Sequence, residues 1–513
     1  MRTLKKLLFC AVGMTALNSC DKIDDFIGDG SGGENEEQGT MFENKSSLEP
    51  LVALESQFNF VDAYSLISST DILDNGFQLV GAQDGAGFLK DGDGYIYVVN
   101  AEDDYAVSRI RLDENLTPVS GEWLLNSGVA DFARQCSGTM WEADIHGGAQ
   151  DIFLSASESF NYDVKGIDPY AAPTPTADFG LDALGEFAWE NAVPLPRDTY
   201  SGKTVIIGGD DDSSGSEGQV TLYYSENGNA DLNNGKIYVL KFKQVDSGEV
   251  DADGKPIVKN VEPGVIYNEA NLAFGQTYDV EFVEIENGAA MTKDEMENAC
   301  VAVGASAFMR VEDVDYQKGD DADARNIFFA VTGRGPGRGT YNDWGTVYKL
   351  ALDEDSPFTG KLTQIVSGNT DTNNMDGNLP ELQSPDNITV TENFVYIQED
   401  PNSFSRGHAA AIYQSDFNGN NIKKVLELVV RNDLDPSGST GFSGEFGALE
   451  DISDKIGEED VFLLNLQPHY WESEDFKNKD GHDMESDRPD AIAAGAREDD
   501  QGGQIVILRG LPR

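Results

Sequence analysis

The sequence predicts an all-β protein, a six-bladed β-propeller with insertions and short helices, on three observations. Six short apolar runs recur along the 513 residues: Tyr95–Asn100, Ile152–Leu154, Thr204–Ile207, Ile327–Val331, Val395–Ile397 and Val461–Leu464. Runs of this length bounded by turn residues read as buried strands. Fifty-four glycines suit strands joined by tight turns, which need positive φ, better than long helices. Most runs also stand beside an acidic or amide side chain: Glu102, Glu158, Asp210–Asp212, Glu312 ahead of its run, Glu399, and Asn465. A repeated strand with oxygen ligands at one end predicts a radial fold whose carboxylates converge on metal.

Behind most runs stands a further strand of similar wording: Arg109–Leu112, Lys236–Leu240, Thr346–Leu350, Ala411–Gln414 and Gln504–Leu508. A strand, a polar loop and a strand reading roughly Gly-x-Ile/Val-Tyr make up a blade, and six such units recur at roughly 50 to 70 residues. The longer interval from Asn227 to Met309 leaves room for an extra hairpin around Val245–Val261 and a short helix at Met291–Ala299. A weaker helical pattern covers Glu49–Leu66. A β-sandwich, or two small β domains, is the alternative architecture.

Residues 1–19 read as an export signal, with Arg2, Lys5 and Lys6 ahead of the apolar stretch Leu7–Leu17. Leu17-Asn18-Ser19-Cys20 resembles a lipoprotein lipobox and makes Cys20 the expected lipidated residue. Residues 20–40 form a flexible acidic linker, too polar to bury a core. Acidic residues directly after the lipid cysteine resemble the surface-export signal of Bacteroidetes lipoproteins. The expectation is an outer-membrane protein, lipid-anchored and exposed on the cell surface, with the periplasm as the alternative. Residues 41–513 form the propeller domain, and they hold no second apolar segment long enough to span a bilayer.

The net charge of −56, from 92 acidic and 36 basic residues, excludes nucleic acid and anionic membrane surfaces as partners. For most of these residues salt adaptation stands as a reading beside function, and the expected state is a monomer. Beyond Cys10 in the leader and Cys20, only Cys136 and Cys300 remain. They either pair as a disulfide or separate into a metal thiolate, Cys136, and a buried thiol, Cys300. The histidines, His146, His408, His469 and His482, have no zinc-like spacing. Lys90–Gly94 and Asp251–Gly254 share residues with calcium loops but lack the bidentate glutamate of an EF-hand.

Segments in order across nearly the whole mature chain resemble the PhoX-type alkaline phosphatases, the DUF839 family. They are Gly81-Ala82-Gln83-Asp84-Gly85, Val98–Glu102, Arg134-Gln135-Cys136-Ser137-Gly138-Thr139, Ile152–Glu158, Phe187–Val193, Phe308-Met309-Arg310-Val311-Glu312-Asp313, Ser384-Pro385-Asp386-Asn387, Gly444-Glu445-Phe446 and Phe462–Gln467. The family's motifs differ here at Ala101, Gln135, Thr139, Val311 and Pro468-His469. The resemblance implies a propeller whose channel holds iron and calcium and which hydrolyses phosphate monoesters. It places Cys136, Glu190 and Glu312 on iron, as the catalytic set. Asp84, Glu102, Asp210, Asp386 and Glu445 go to calcium, with Glu158, Asn387 and Asp212 as second choices. Hard calcium takes several oxygens, and a thiolate suits a transition metal. The basic, glycine-rich loop Arg334-Gly335-Pro336-Gly337-Arg338-Gly339 offers Arg334 and Arg338 to a small phosphate ester. The rival expectations are a non-catalytic, calcium-stabilised propeller that binds a glycan or a protein, and a hydrolase that works on calcium alone.

Overall fold

A computed structural model describes residues 40–173, 179–212, 214, 217–338, 341–369, 377–401, 404–435, 442–494 and 499–513. The leader 1–19, Cys20 and the linker up to residue 39 lie outside the described residues. Residues from Thr40 to Arg513 make one compact unit. No helix among the described residues is long and apolar enough to cross a membrane.

The described chain is all-β, arranged as antiparallel meanders. Three sheets repeat one plan. Gln83–Asp91, Gly94–Ala101, Ala106–Leu112 and Pro118–Leu125 pair in sequence order. Gln135–Trp141, Ile152–Ser157 and Val164–Ile167 do the same. So do Pro385–Val390, Val395–Glu399, Ala411–Ser415 and Lys423–Leu428, with Val52–Leu54 added outside. A fourth sheet joins the chain's two ends: Glu445–Asp451, Val461–Gln467 and Gln504–Arg509 are closed by Asp62–Ser68. Six separate blades are not what forms. Trp189–Pro194 to Lys236–Phe242 and Val311–Tyr316 to Ser356–Ser367 are two four-stranded meanders, and Thr277–Ile285 pairs with both to give one nine-stranded sheet.

Each predicted apolar run is the second strand of its meander. With sheets packed on both faces, a second strand has no solvent side, so it reads as unbroken apolar sequence instead of alternation. Tyr97, Val98 and Val99 are fully buried, as are Phe328, Phe329 and Ala330. Full burial of such side chains is worth about 1.5–3 kcal/mol each. Around Phe308 the packing is aromatic: Phe242, Phe329 and Tyr348 meet its ring edge-on at 5.5–5.7 Å.

The innermost strands carry a different sequence. Gln83–Asp91, Gln135–Trp141, Trp189–Pro194, Val311–Tyr316, Pro385–Val390 and Glu445–Asp451 pack side by side in that cyclic order and close a ring. Each breaks register with its second strand near its start, at Gln83/Ala86, Gln135/Gly138, Trp189/Asn191, Val311/Val314, Pro385/Ile388 and Phe446/Leu449. Such bulges bend a strand and re-aim a side chain. Backbones touch where the ring is tightest: a Cβ on Gly85 would sit 1.9 Å from the Gly138 nitrogen.

The insertion follows the sequence reading, with the hairpin Gln244–Val250/Pro256–Asn260 and a helix at Lys293–Val303. Thr292 and Glu295 cap that helix reciprocally, and Gly304 ends it at φ +70°. The helix expected over Glu49–Leu66 does not form. Val52–Leu54 and the start of Asp62–Ser68 occupy it as strands, because pairing with Lys423–Leu428 and Gln504–Arg509 overrides a weak local pattern.

Candidate metal centre

The bulged starts of the ring strands meet in a cavity of about 90 Å³. Each ring strand contributes one side chain to its wall: Asp84, Cys136, Glu190, Glu312, Asp386 and Glu445. The neighbouring second strands run antiparallel, so their far ends reach the same mouth and add Glu102, Glu158 and Asp400. Arg134 and Arg310, each one residue ahead of a ring strand, complete the lining. Eight carboxylates and a thiol therefore face two guanidinium groups.

The arginines are themselves engaged. Arg134 Nη1 donates to Glu158 Oε1 at 2.8 Å, and its Nε lies 3.6 Å from Glu102 Oε1. Arg310 binds Asp211 through Nε and Nη2, with Glu312 Oε1 3.1 Å from Nη2. Below the acids a polar floor fixes their positions. Asn387 Nδ2 donates to Ser137 Oγ at 2.8 Å and to Asp84 Oδ1 at 3.3 Å, while Asn465 Nδ2 donates to the Asp84 carbonyl at 2.6 Å. The Ser137 N–H points at Glu190 Oε1, 3.3 Å away.

Burial pushes the Asp84, Glu190, Glu312, Asp386 and Glu445 carboxyls well above the usual carboxylate range, and their neighbours' charges push further. For Glu190 those neighbours are Asp386 and Asp84; for Glu445 they are Asp400 and Glu102. Burial raises the Cys136 thiol too, with Glu158 and Glu190 adding to it. Like charges this close cannot all ionise without cations. The donor atoms are also spaced for metal. One ligand atom each from Asp84, Cys136 and Glu190 lie within 4.8 Å of one another, as do those of Glu190, Glu312 and Asp386, and those of Asp400, Glu445 and His469. Buried oxygens with one soft sulfur at this spacing fit metal ions.

Seven of the eight metal ligands expected from the sequence line this cavity; Asp210 does not. Its carboxylate accepts the Ala188 N–H at 2.9 Å, and the residue that reaches the cavity's arginine is Asp211. Asp212 turns away to Lys293. Arg334 and Arg338 are exposed, on a loop that starts at the rim, where the Thr332 N–H donates to the Arg310 carbonyl. Neither lines the cavity. Cys136 and Cys300 are both buried and unbridged, Cys300 on the helix Lys293–Val303. Sequence reasoning passed over Arg134, Arg310, Asp211 and Asp400. The usable signal was that Arg134 and Arg310 stand two residues ahead of Cys136 and Glu312 in a chain poor in arginine.

Fold and site together define a β-propeller-like protein with an acidic cavity at the centre of its ring, lined by groups spaced so that they could hold metal ions. No family model and no curated protein matches the sequence. Among solved structures the fold is similar to that of Pseudomonas fluorescens PhoX in complex with vanadate, a transition state analogue, with a TM-score of 0.56 over 89% of this chain and 96% of that one, at 13% identity. At that identity the likeness is one of fold. The catalytic domain of a Coprinopsis cinerea GH62 α-L-arabinofuranosidase (TM-score 0.32, 9% identity, 71% of this chain and 94% of that one) and the polysaccharide lyase Uly1 (0.33, 10%, 89% and 99%) overlap too loosely to carry an argument.

Proposed function

We propose that the chain is a metal-dependent phosphomonoesterase of PhoX type, with the nine-stranded sheet counting as two blades of a six-bladed propeller fused at their outer edges. The observation that carries the reading is the ring itself: six strands each bring one carboxylate or thiol to a cavity that also holds two arginines. The fold shared with a vanadate-bound phosphatase supports it.

In this reading Cys136, Glu190 and Glu312 hold iron, while Asp84, Glu102, Asp386 and Glu445 hold calcium. Bound cations supply Lewis-acid stabilisation of the charge on the phosphoryl oxygens. The chain's own part is placement. Arg134 and Arg310 offer their remaining guanidinium N–H donors to phosphoryl oxygens, and Glu158 and Asp211 hold the guanidinium groups in orientation. The Ser137–Asn387 floor keeps Asp84 and Glu190 in register, so that charge is met by groups already in position. A cavity this small takes the phosphoryl group and leaves the alcohol outside, consistent with a broad range of small phosphate esters. The N-terminal sequence supports a lipid anchor at Cys20 and display on the outer membrane.

Purified full-length protein is expected to contain iron and calcium by elemental analysis and to hydrolyse p-nitrophenyl phosphate with calcium present. Protein that takes up neither metal and leaves the ester intact overturns the proposal.

A further inference from the structure

Basic side chains stand at every second strand of the ring. Arg134 enters with the second and Arg310 with the fourth, each braced by carboxylates. At the sixth the basic group is His469, two residues beyond Val461–Gln467, the strand paired with Glu445–Asp451. The change of residue type matters, because a guanidinium has no lone pair to give a metal and an imidazole has one.

The ring of His469 is buried, at 6% exposure. Its Nδ1 lies 2.8 Å from Gln501 Oε1, and with the proton on Nδ1 the ring turns Nε2 toward Glu445 as its metal-facing atom. The Gln501 backbone is held in turn, its main-chain carbonyl accepting the Gly81 N–H at 2.8 Å. Nε2 lies 3.5 Å from Glu445 Oε2, and ligand atoms of Asp400, Glu445 and His469 fall within 4.8 Å of one another. A cation placed among these three atoms would be met by one nitrogen and two carboxylates.

We infer that Asp400, Glu445 and His469 form a nitrogen-containing site for a transition-metal ion beside the cavity, in which Glu445 serves that ion in place of calcium, chemically distinct from the all-oxygen positions at Asp84, Glu102 and Asp386. Calcium prefers oxygen alone, whereas an imidazole with two carboxylates suits manganese, iron or zinc. Gln501 is the outer partner that sets the ring's tautomer and direction. The inference rests on the metal-centre reading above, not on the reaction assigned to it.

The test uses the full chain loaded with calcium and given one equivalent of Mn2+. Pulsed EPR is expected to show nitrogen coupling to manganese in the wild type and none in His469→Asn, which keeps a polar group near Gln501 but has no atom in the place of Nε2. Equal thermal midpoints in EDTA establish that this variant is folded. Gln501→Met is expected to weaken Mn2+ binding about 10- to 100-fold, and it decides the matter together with the wild-type spectrum if His469→Asn does not fold. A wild-type spectrum without nitrogen coupling, coupling that survives His469→Asn, or Mn2+ affinity unchanged in Gln501→Met overturns the site. Hydrolysis of p-nitrophenyl phosphate is followed on the same samples. Nitrogen-bound manganese without hydrolysis sinks the phosphatase reading and keeps the site, and hydrolysis without coupling does the reverse.

Discussion

Arg310 grips Asp211 at both ends of its guanidinium, Nε to Oδ1 at 2.6 Å and Nη2 to Oδ2 at 2.7 Å. The pair fixes the plane of the guanidinium beside Glu312, and removing one partner of a buried pair leaves the other charge uncompensated. Asp211→Asn is expected to lower stability by about 3 kcal/mol, read from urea unfolding. Its effect on hydrolysis should fall more on KM than on kcat, because the fork then binds phosphate in the wrong plane. Arg338→Ala, on the exposed loop, should change neither by more than about twofold.

The acids of the cavity make stability depend on pH in a direction set by their raised folded-state values. For Asp84, Glu190, Glu312, Asp386 and Glu445 the native state holds protons that the unfolded chain releases near pH 4. Their contribution is present in acid and lost as pH rises through the folded values. Metal-free protein should therefore melt at a lower temperature at pH 8 than at pH 5. Calcium at 100 times its Kd should return about 2.7 kcal/mol at the higher pH. Melting curves in EDTA and in calcium, taken across this range, check both statements.

Among the described residues Cys136 supplies the one sulfur in the cavity lining, and Cys136→Ala removes it. Elemental analysis should find iron lost and calcium retained. If iron stabilises transition-state charge by several kcal/mol, the rate should fall roughly 100-fold or more. Unchanged iron would show that the thiol is merely packed there.

Glu269 lies behind the arginine and is fully buried. Its carboxylate accepts the Met309 N–H at 2.9 Å, the Asn342 amide at 3.0 Å and the Tyr348 hydroxyl at 2.7 Å, tying the segment that carries Arg310 to the rim loop. Burial raises it to about 7 despite these donors. Its share of stability is complete below about pH 4.5 and lost as pH rises through 7, about 3 kcal/mol in all. Glu269→Gln removes that slope and sets an amide against the Met309 N–H, at a cost of about 1–3 kcal/mol. The wild type should lead the variant at pH 5 by more than at pH 8, as measured by chemical unfolding.

The parts of this fold that were legible in the sequence are those with a local signature. Tyr95–Asn100 and Ile327–Val331 announced themselves as second strands because burial on both faces demands unbroken apolar sequence. The ring strands did not, since their starts are polar and bulged. Glu190 and Glu312 accordingly seemed to precede their strands, when they lie on strands of their own. Asp210 and Asp211 could not be told apart, because which one turns inward depends on how Trp189–Pro194 pairs with Thr204–Asp210, and that register shifts between Trp189 and Asn191. Arg334 and Arg338 drew attention through glycine-rich spacing, which marks a loop and says nothing about its depth. Arg134 and Arg310 had no such spacing, only their place two residues ahead of Cys136 and Glu312, and it is the closing of the ring that brings them to the cavity.

That closure has a consequence for how the protein is made. The first ring strand, Gln83–Asp91, completes the circle only against the last, Glu445–Asp451, and Asp62–Ser68 is held by Gln504–Arg509 near the end of the chain. A partly synthesised chain therefore has scattered acids and no cavity. Pairings this distant in sequence slow folding to the order of milliseconds to seconds. Any metal the centre takes up enters at the end of that search, so the ions available where the final strand docks, and not where the first was translated, would set what the centre contains.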